Sequence, residues 1–147
     1  MTVGADGAIL DVFRRVSPGW KLPNAGACYR EGSGFHTFDL CGKRVAAAIC
    51  GDLWFDENVA AIKALAPDVI LWPVYTDFSP ASWNTARKLE YAAQAAKIGG
   101  KILYVNAVCL DRSEDYIARG GAVLFDDGRI AAEIPSGSEA LLFVTIP

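Results

Sequence analysis

The sequence predicts an α/β domain built on a mixed β-sheet. Three observations carry that expectation. Apolar runs at residues 44–50, 68–73 and 101–107 read as strands covered on both faces. Helical spacing fills the two intervals between them. A turn signal at Asp126-Asp127-Gly128 then separates two further short strands, a hairpin. Strands alternating with helices and closed by hairpin strands make a mixed sheet, whose ligands sit at the carboxyl ends of its strands.

The elements follow in order. Asp6-Gly7 predicts a turn, and residues 8–16 a strand. Residues 17–34, rich in Gly, Pro and Asn, predict a loop. Residues 35–40 alternate and turn at Cys41-Gly42-Lys43 into the 44–50 strand. Val59, Ile62 and Leu65 set a helix over 56–65 that Pro67 stops. Ser79-Pro80 opens a second helix, with proline at its first helical position, and Gly99-Gly100 ends it. Strands are expected at 121–125, 129–134 and 141–146.

Composition bounds the rest. The chain has 147 residues, 52% of them hydrophobic, enough for one domain with a real core. A net charge of -3 argues against a nucleic-acid binder, which usually carries a basic face. No stretch reaches the roughly 18 apolar residues of a membrane span, and the N-terminus lacks the pattern of a secretory signal. The expected location is the cytoplasm. Cys28, Cys41, Cys50 and Cys109 show no C-x-x-C spacing, and His36 is the single histidine, so neither a metal site nor a cofactor is expected.

Cys50 ends its expected strand and is followed by Gly51, which permits a tight turn and close backbone approach. A thiol presented there, with a backbone N–H beside it to meet an oxyanion, suits acyl transfer through a thioester. The competing reading is that a free cysteine is a small buried hydrophobe, and Cys28, Cys41 and Cys109 are read that way.

The wider segment AAAICGDLWFDENVAAIKALAPDVILWPV resembles the nucleophile region of the nitrilase superfamily, the carbon–nitrogen hydrolases. Cys50, Gly51, Asp52, Phe55, Asp56, Glu57 and Pro73 carry the likeness. WNTARKLEYAAQAAKIGGKILYVNAVC resembles the family's long helix and the strand ending in Asn, here Asn106, and GGAVLFDDGRI its late hairpin. The resemblance implies half of an α-β-β-α sandwich, a mixed sheet with helices on one face. The whole chain, 1–147, is then a single domain that matches only the C-terminal half of the family fold. An uncovered sheet face costs ~25 cal/mol per Å² of apolar surface, so a second copy is expected to cover it.

The resemblance also implies a Glu–Lys–Cys catalytic set and a small amide or nitrile substrate. Cys50 matches the nucleophile. The lysine strand matches at Gly7, Ile9, Phe13 and Arg14, but Arg15 stands where lysine belongs and Ser17 replaces a histidine. No residue matches the base, and Glu31 lies out of register with a further family glutamate. Arginine keeps a cation near the thiol but is a planar fork and not a compact ammonium. Arg14 and Arg15 also admit a plain reading as solvated charges. Gly51, Trp54 and Tyr75 are the expected substrate-binding residues, while Asp52, Glu57 and Asn106 are expected to hold loops and helix starts near the site. The functional expectation is a Cys-dependent hydrolase of non-peptide carbon–nitrogen bonds, degenerate or inactive alone. The alternative is a non-catalytic half-domain for assembly or small-molecule binding.

Overall fold

A computed structural model describes residues 1–18, 21–111 and 117–147; residues 19–20 of the expected 17–34 loop lie outside it. Strands β1 (Thr2–Val3) and β2 (Ile9–Asp11) form a small antiparallel pair. The turn between them is at Asp6-Gly7, where Gly7 has φ 82° and Asp6 Oδ1 accepts the Ala8 N–H. The expected 8–16 strand therefore stops at Asp11. Its remaining backbone is committed elsewhere, because Arg15 O accepts from Gly32 N and the Val16 and Ser17 amides donate to Asp52.

The main sheet has six strands in the order β3-β4-β5-β6-β7-β8. Strands β3 (Thr37–Leu40) and β4 (Lys43–Ala47) form the expected hairpin. Cys41 and Gly42 both have positive φ, 51° and 74°, as a two-residue turn matched to strand twist requires. Strand β4 runs parallel to β5 (Val69–Val74), and β5 parallel to β6 (Lys101–Asn106). Strands β7 (Ala122–Asp126) and β8 (Arg129–Ile134) extend the sheet antiparallel, through the turn at Asp127-Gly128.

Helix α1 (Asp56–Ala64) follows β4 after a 3₁₀ turn at Cys50–Trp54. Between β5 and β6 the expected single helix is divided into α2 (Pro80–Ser82), a π-helical stretch (Trp83–Arg87) and α3 (Lys88–Ile98). Ser79 Oγ caps its start and Gly99, at φ 80°, ends it. The wide turn coincides with a side-chain clasp: Asn84 Nδ2 donates to Ser136 O, and Ser136 N donates to Asn84 Oδ1. Residues 141–146 do not form the expected strand. Beyond Ile134 the chain is turned off the sheet edge by that clasp and by the Gly137 N to Arg119 O bond, and the tail forms no regular element before Pro147 O accepts from Lys43 Nζ.

One face of the sheet is covered. Ala46, Ile70, Trp72, Ile102, Tyr104, Val123 and Phe125 alternate along their strands and pack with Val59, Ile62, Tyr91, Ala95 and Ile98 from the helices. The other face carries Ala47, Leu71, Pro73, Leu103 and Val105, with Pro73 and Val105 exposed. Helices on a single face of a mixed sheet are what the sequence predicts.

The aromatic core makes stability depend on pH. Burial, reinforced by the charges of nearby Cys50 and Glu90, pushes the Tyr91 phenol from 10.0 up to about 12. Burial drives Tyr104 upward as well. As pH rises, the unfolded chain surrenders these protons first, so base favours unfolding. The contribution is complete below about pH 10 and is lost between there and about pH 12. At about 1.4 kcal/mol per unit, Tyr91 alone accounts for on the order of 2–3 kcal/mol. Urea titrations at about pH 8 and about pH 11 are expected to show about half of that fall, ~1.4 kcal/mol from Tyr91; equal midpoints would contradict it.

Candidate active site

Strand β4 ends at Ala47, and Cys50 is not the end of a strand but the first residue of the 3₁₀ turn. The correction has a local cause. Asp52 Oδ2 accepts the Ile49 N–H at 2.8 Å and Asp52 N donates back to Ile49 O, which closes the chain before it can extend. Cys50 is left at φ 52°, a left-handed conformation that costs a β-carbon residue roughly 1–2 kcal/mol. Trp72 Nε1 donates to Cys50 O at 2.8 Å and anchors the turn to the core.

Asp52 is completely buried. Its Oδ1 accepts from Val16 N at 3.0 Å and from Ser17 N at 2.6 Å. One carboxylate thus joins the segment carrying Arg15 to the turn carrying Cys50. A buried carboxylate survives when amides satisfy it in this way. Arg15 Nε donates to Ser17 Oγ at 2.7 Å. Its guanidinium then lies against Gly51, where an added methyl carbon would come within 2.5 Å of Nη2.

The cleft beside Cys50 has a volume of about 570 Å³. Arg15 and Tyr75 line it with Cys50, so three of the sequence-predicted site residues share one cavity. Gly51 lies under the Arg15 side chain. Asn106, at the end of β6, grips the loop after Tyr75: its Oδ1 accepts from Thr76 N and its Nδ2 donates to Thr76 O, both at 3.0 Å. Glu57 is exposed in the first turn of α1, where a carboxylate complements the helix dipole. Trp54 does not line this cleft. Its indole packs edge-on to Tyr91 at 5.1 Å and tilted to Trp72 at 6.3 Å.

Sequence reasoning did not place Arg14 and Arg30 in this cavity, yet both line it. The signal for Arg14 is its adjacency to Arg15. Arg30 is carried by the loop that Gly32 pins: Gly32 N bonds Arg15 O, and a β-carbon at Gly32 would fall 2.2 Å from Arg14 O. Among the described residues no cluster of His, Cys, Asp or Glu could hold a metal ion, and no helix is long and apolar enough to cross a membrane.

Gly51→Ala is expected to leave the fold intact while displacing Arg15, because the obstructing atom is the end of a flexible side chain. Alkylation of Cys50 is expected to change several-fold with little change in melting temperature, since surface-side shifts of this kind cost about 0.5 kcal/mol. Peptide mapping after brief thiol labelling checks it; an unaltered rate at Cys50 would contradict the contact.

Comparison with known proteins bears on this geometry. A family model described as "Carbon-nitrogen hydrolase" matches residues 4–147. A search of curated proteins gives no significant match. Among solved structures, glutamine-dependent NAD+ synthetase from Acinetobacter baumannii superposes with a TM-score of 0.71 at 26% identity, over 92% of this chain and 26% of that one. The amidase from Nesterenkonia sp. AN1, in a variant with the acetamide moiety of fluoroacetamide covalently added at its active-site cysteine, gives 0.69 at 20% identity, over 91% of this chain and 49% of that one. Nit3 from Saccharomyces cerevisiae, a member of branch 10 of the nitrilase superfamily, gives 0.66 at 21% identity, over 91% and 47%. The chain thus spans between about a quarter and a half of the length of these structures.

Proposed function

Since the chain belongs to the carbon–nitrogen hydrolase family, we propose that it carries the nucleophile side of an amide- or nitrile-cleaving centre, with Cys50 as nucleophile and Arg15 as its cationic partner. The observation that carries this reading is Cys50 held in left-handed backbone at a cleft that Arg15 shares. The Cys50 thiolate attacks the carbonyl carbon of a small amide, and the carbonyl π pair moves onto oxygen. The Arg15 guanidinium and the Gly51 N–H face that oxyanion. Its collapse breaks the C–N bond, the amine leaves with a proton, and a thioester remains on Cys50. Water then hydrolyses the thioester to a carboxylic acid and restores the thiol.

Both proton transfers need a base. No carboxylate lines the cleft among the described residues, and Asp52 is spent on three backbone amides. The described lining of the cleft therefore supplies no such base, and lacking one lowers turnover by ~100- to 10,000-fold. Arginine in place of a compact ammonium slows the step further. We place the second copy expected from the sequence on the open sheet face at Pro73 and Val105, and the chain, with its four free cysteines, in the reducing cytoplasm.

Fluoroacetamide tests the chemistry. The expected result is an added acetamide moiety on Cys50 with negligible turnover of simple amides by the chain alone. Adducts on Cys28, Cys41 or Cys109 with none on Cys50 would sink it. The open sheet face favours a second reading, a non-catalytic assembly half-domain. A stable dimer with an inert Cys50 would support that reading, and a monomer by sedimentation would remove both the dimer and this alternative.

A further inference from the structure

Three buried side chains, each from a different element, take carbonyl oxygens of the turn that presents Cys50. Trp72 Nε1 on β5 donates to Cys50 O at 2.8 Å, Asn58 Nδ2 on α1 donates to Asp52 O at 2.9 Å, and Gln94 Nε2 on α3 donates to Leu53 O. The bond from Trp72 differs from the other two in what it aims. Backbone pairing between β4 and β5 ends where Ala48 N donates to Leu71 O. Beyond that point the indole of the next residue, Trp72, reaches the carbonyl of Cys50. Trp72 is fully buried, tilted against Tyr91 at 5.1 Å and edge-on to Tyr104 at 5.8 Å, so its N–H has one fixed direction. The peptide unit joining Cys50 to Gly51 is trans and planar, and its N–H points opposite to its C=O. With Cys50 O held toward the core by Trp72, the Gly51 N–H is aimed away from the core, and the Arg15 guanidinium lies against that same glycine.

Building on the proposed role of Cys50, we infer that Trp72 is a positioning residue for acyl transfer: through Cys50 O it turns the Gly51 N–H onto the oxygen that gains charge when Cys50 is acylated. The same bond opposes relaxation of Cys50 from φ 52°, because a Cys50 carbonyl that swings away leaves the indole N–H buried and unpaired. Asn58 and Gln94 hold carbonyls whose peptide planes carry the Leu53 and Trp54 amides, further along the turn. They fix the turn's shape and do not aim the amide next to the thiol.

Two reagents separate aiming from packing. p-Nitrophenyl acetate acylates a thiolate: sulfur adds to the carbonyl carbon, the π pair moves onto oxygen, and collapse expels p-nitrophenolate and leaves a thioester. Iodoacetamide alkylates the same sulfur by displacing iodide and develops no oxyanion. Both rates are read at Cys50 by peptide mapping, with exposed Cys28 as the internal reference. Trp72→Phe is expected to slow acylation of Cys50 by about tenfold or more, since a misaimed donor forfeits part of what losing one costs, while alkylation changes by less than about twofold. Replacing Trp72 by benzothienylalanine, which keeps the ring's shape with sulfur in place of the N–H, is expected to give the same split, and it carries the test if the phenylalanine variant fails to fold. Gln94→Leu is expected to lower the melting temperature and to leave the ratio of the two rates as it was. An unchanged ratio in both Trp72 variants would overturn the inference and leave Cys50 as nucleophile. Equal slowing of the two reactions would overturn it as well, making Trp72 a packing residue alone. Failure of both reagents at Cys50 in the unaltered protein would overturn the inference together with the role of Cys50.

Discussion

Asp52→Ala is expected to destabilise this chain by roughly 3–5 kcal/mol, the largest stability effect of any single side chain near the site. Three amides, those of Val16, Ser17 and Ile49, lose their acceptor at once in a fully buried place. Asp52→Asn separates shape from charge. Its carbonyl still accepts from Val16 and Ser17, but its amide nitrogen turns a donor toward the Ile49 N–H, so an intermediate loss of about 2 kcal/mol is expected. Urea-denaturation midpoints for the two variants check the order. Equal losses would mean that the acceptor for the Ile49 N–H, and neither the side-chain volume nor the bonds to Val16 and Ser17, holds the turn.

Cys50→Ala is expected to abolish fluoroacetamide addition at this position and to lower any acyl transfer by ~1,000-fold or more. The backbone adds a second expectation. At φ 52° a β-carbon is strained, so Cys50→Gly is expected to be more stable than Cys50→Ala by about 1 kcal/mol. The nucleophile thus sits at a position where glycine is the better structural residue. Paired thermal melts read the difference, and a more stable alanine variant would show that the turn relaxes to negative φ once the sulfur is gone. Strain held at a reacting residue is a known feature of functional sites.

Much of the fold was legible because its signals are local. Continuous apolar runs announced β4, β5 and β6, but they also predicted cover on both faces, whereas helices cover one face and Pro73 and Val105 on the other are exposed. Cys41-Gly42 and Asp127-Gly128 announced hairpins, since only residues that tolerate positive φ fit those turns. The failures are tertiary. Nothing between residues 8 and 16 shows that the strand must stop at Asp11, because the competing bonds come from Gly32 and Asp52. The helix over 80–98 reads as uniform, and its wide turn at Trp83–Arg87 coincides with the distant Ser136 clasp. Residues 141–146 carry a strand's composition, yet the chain leaves the sheet before they can pair.

The site shows the same division. Cys50, Arg15 and Tyr75 were drawn from sequence into one neighbourhood, and the structure sets them around one cleft. Trp54 was drawn there too, but three residues of 3₁₀ turn carry its ring into the aromatic stack with Tyr91 and Trp72. Arg30 was invisible, because an arginine in a glycine-rich loop reads as solvated until the loop's attachment through Gly32 is known.

Because one carboxylate gathers amides from two segments far apart in sequence, those segments share an opening event. Val16, Ser17 and Ile49 cannot exchange their protons for deuterium independently, since releasing any of them by swinging Asp52 aside releases all three. Their protection factors should move as a set. Occupancy of the cleft should slow all three alike, although only Ile49 lines it. Deuterium uptake at those positions would then report, from the backbone alone, whether Cys50 and Arg15 are held in register.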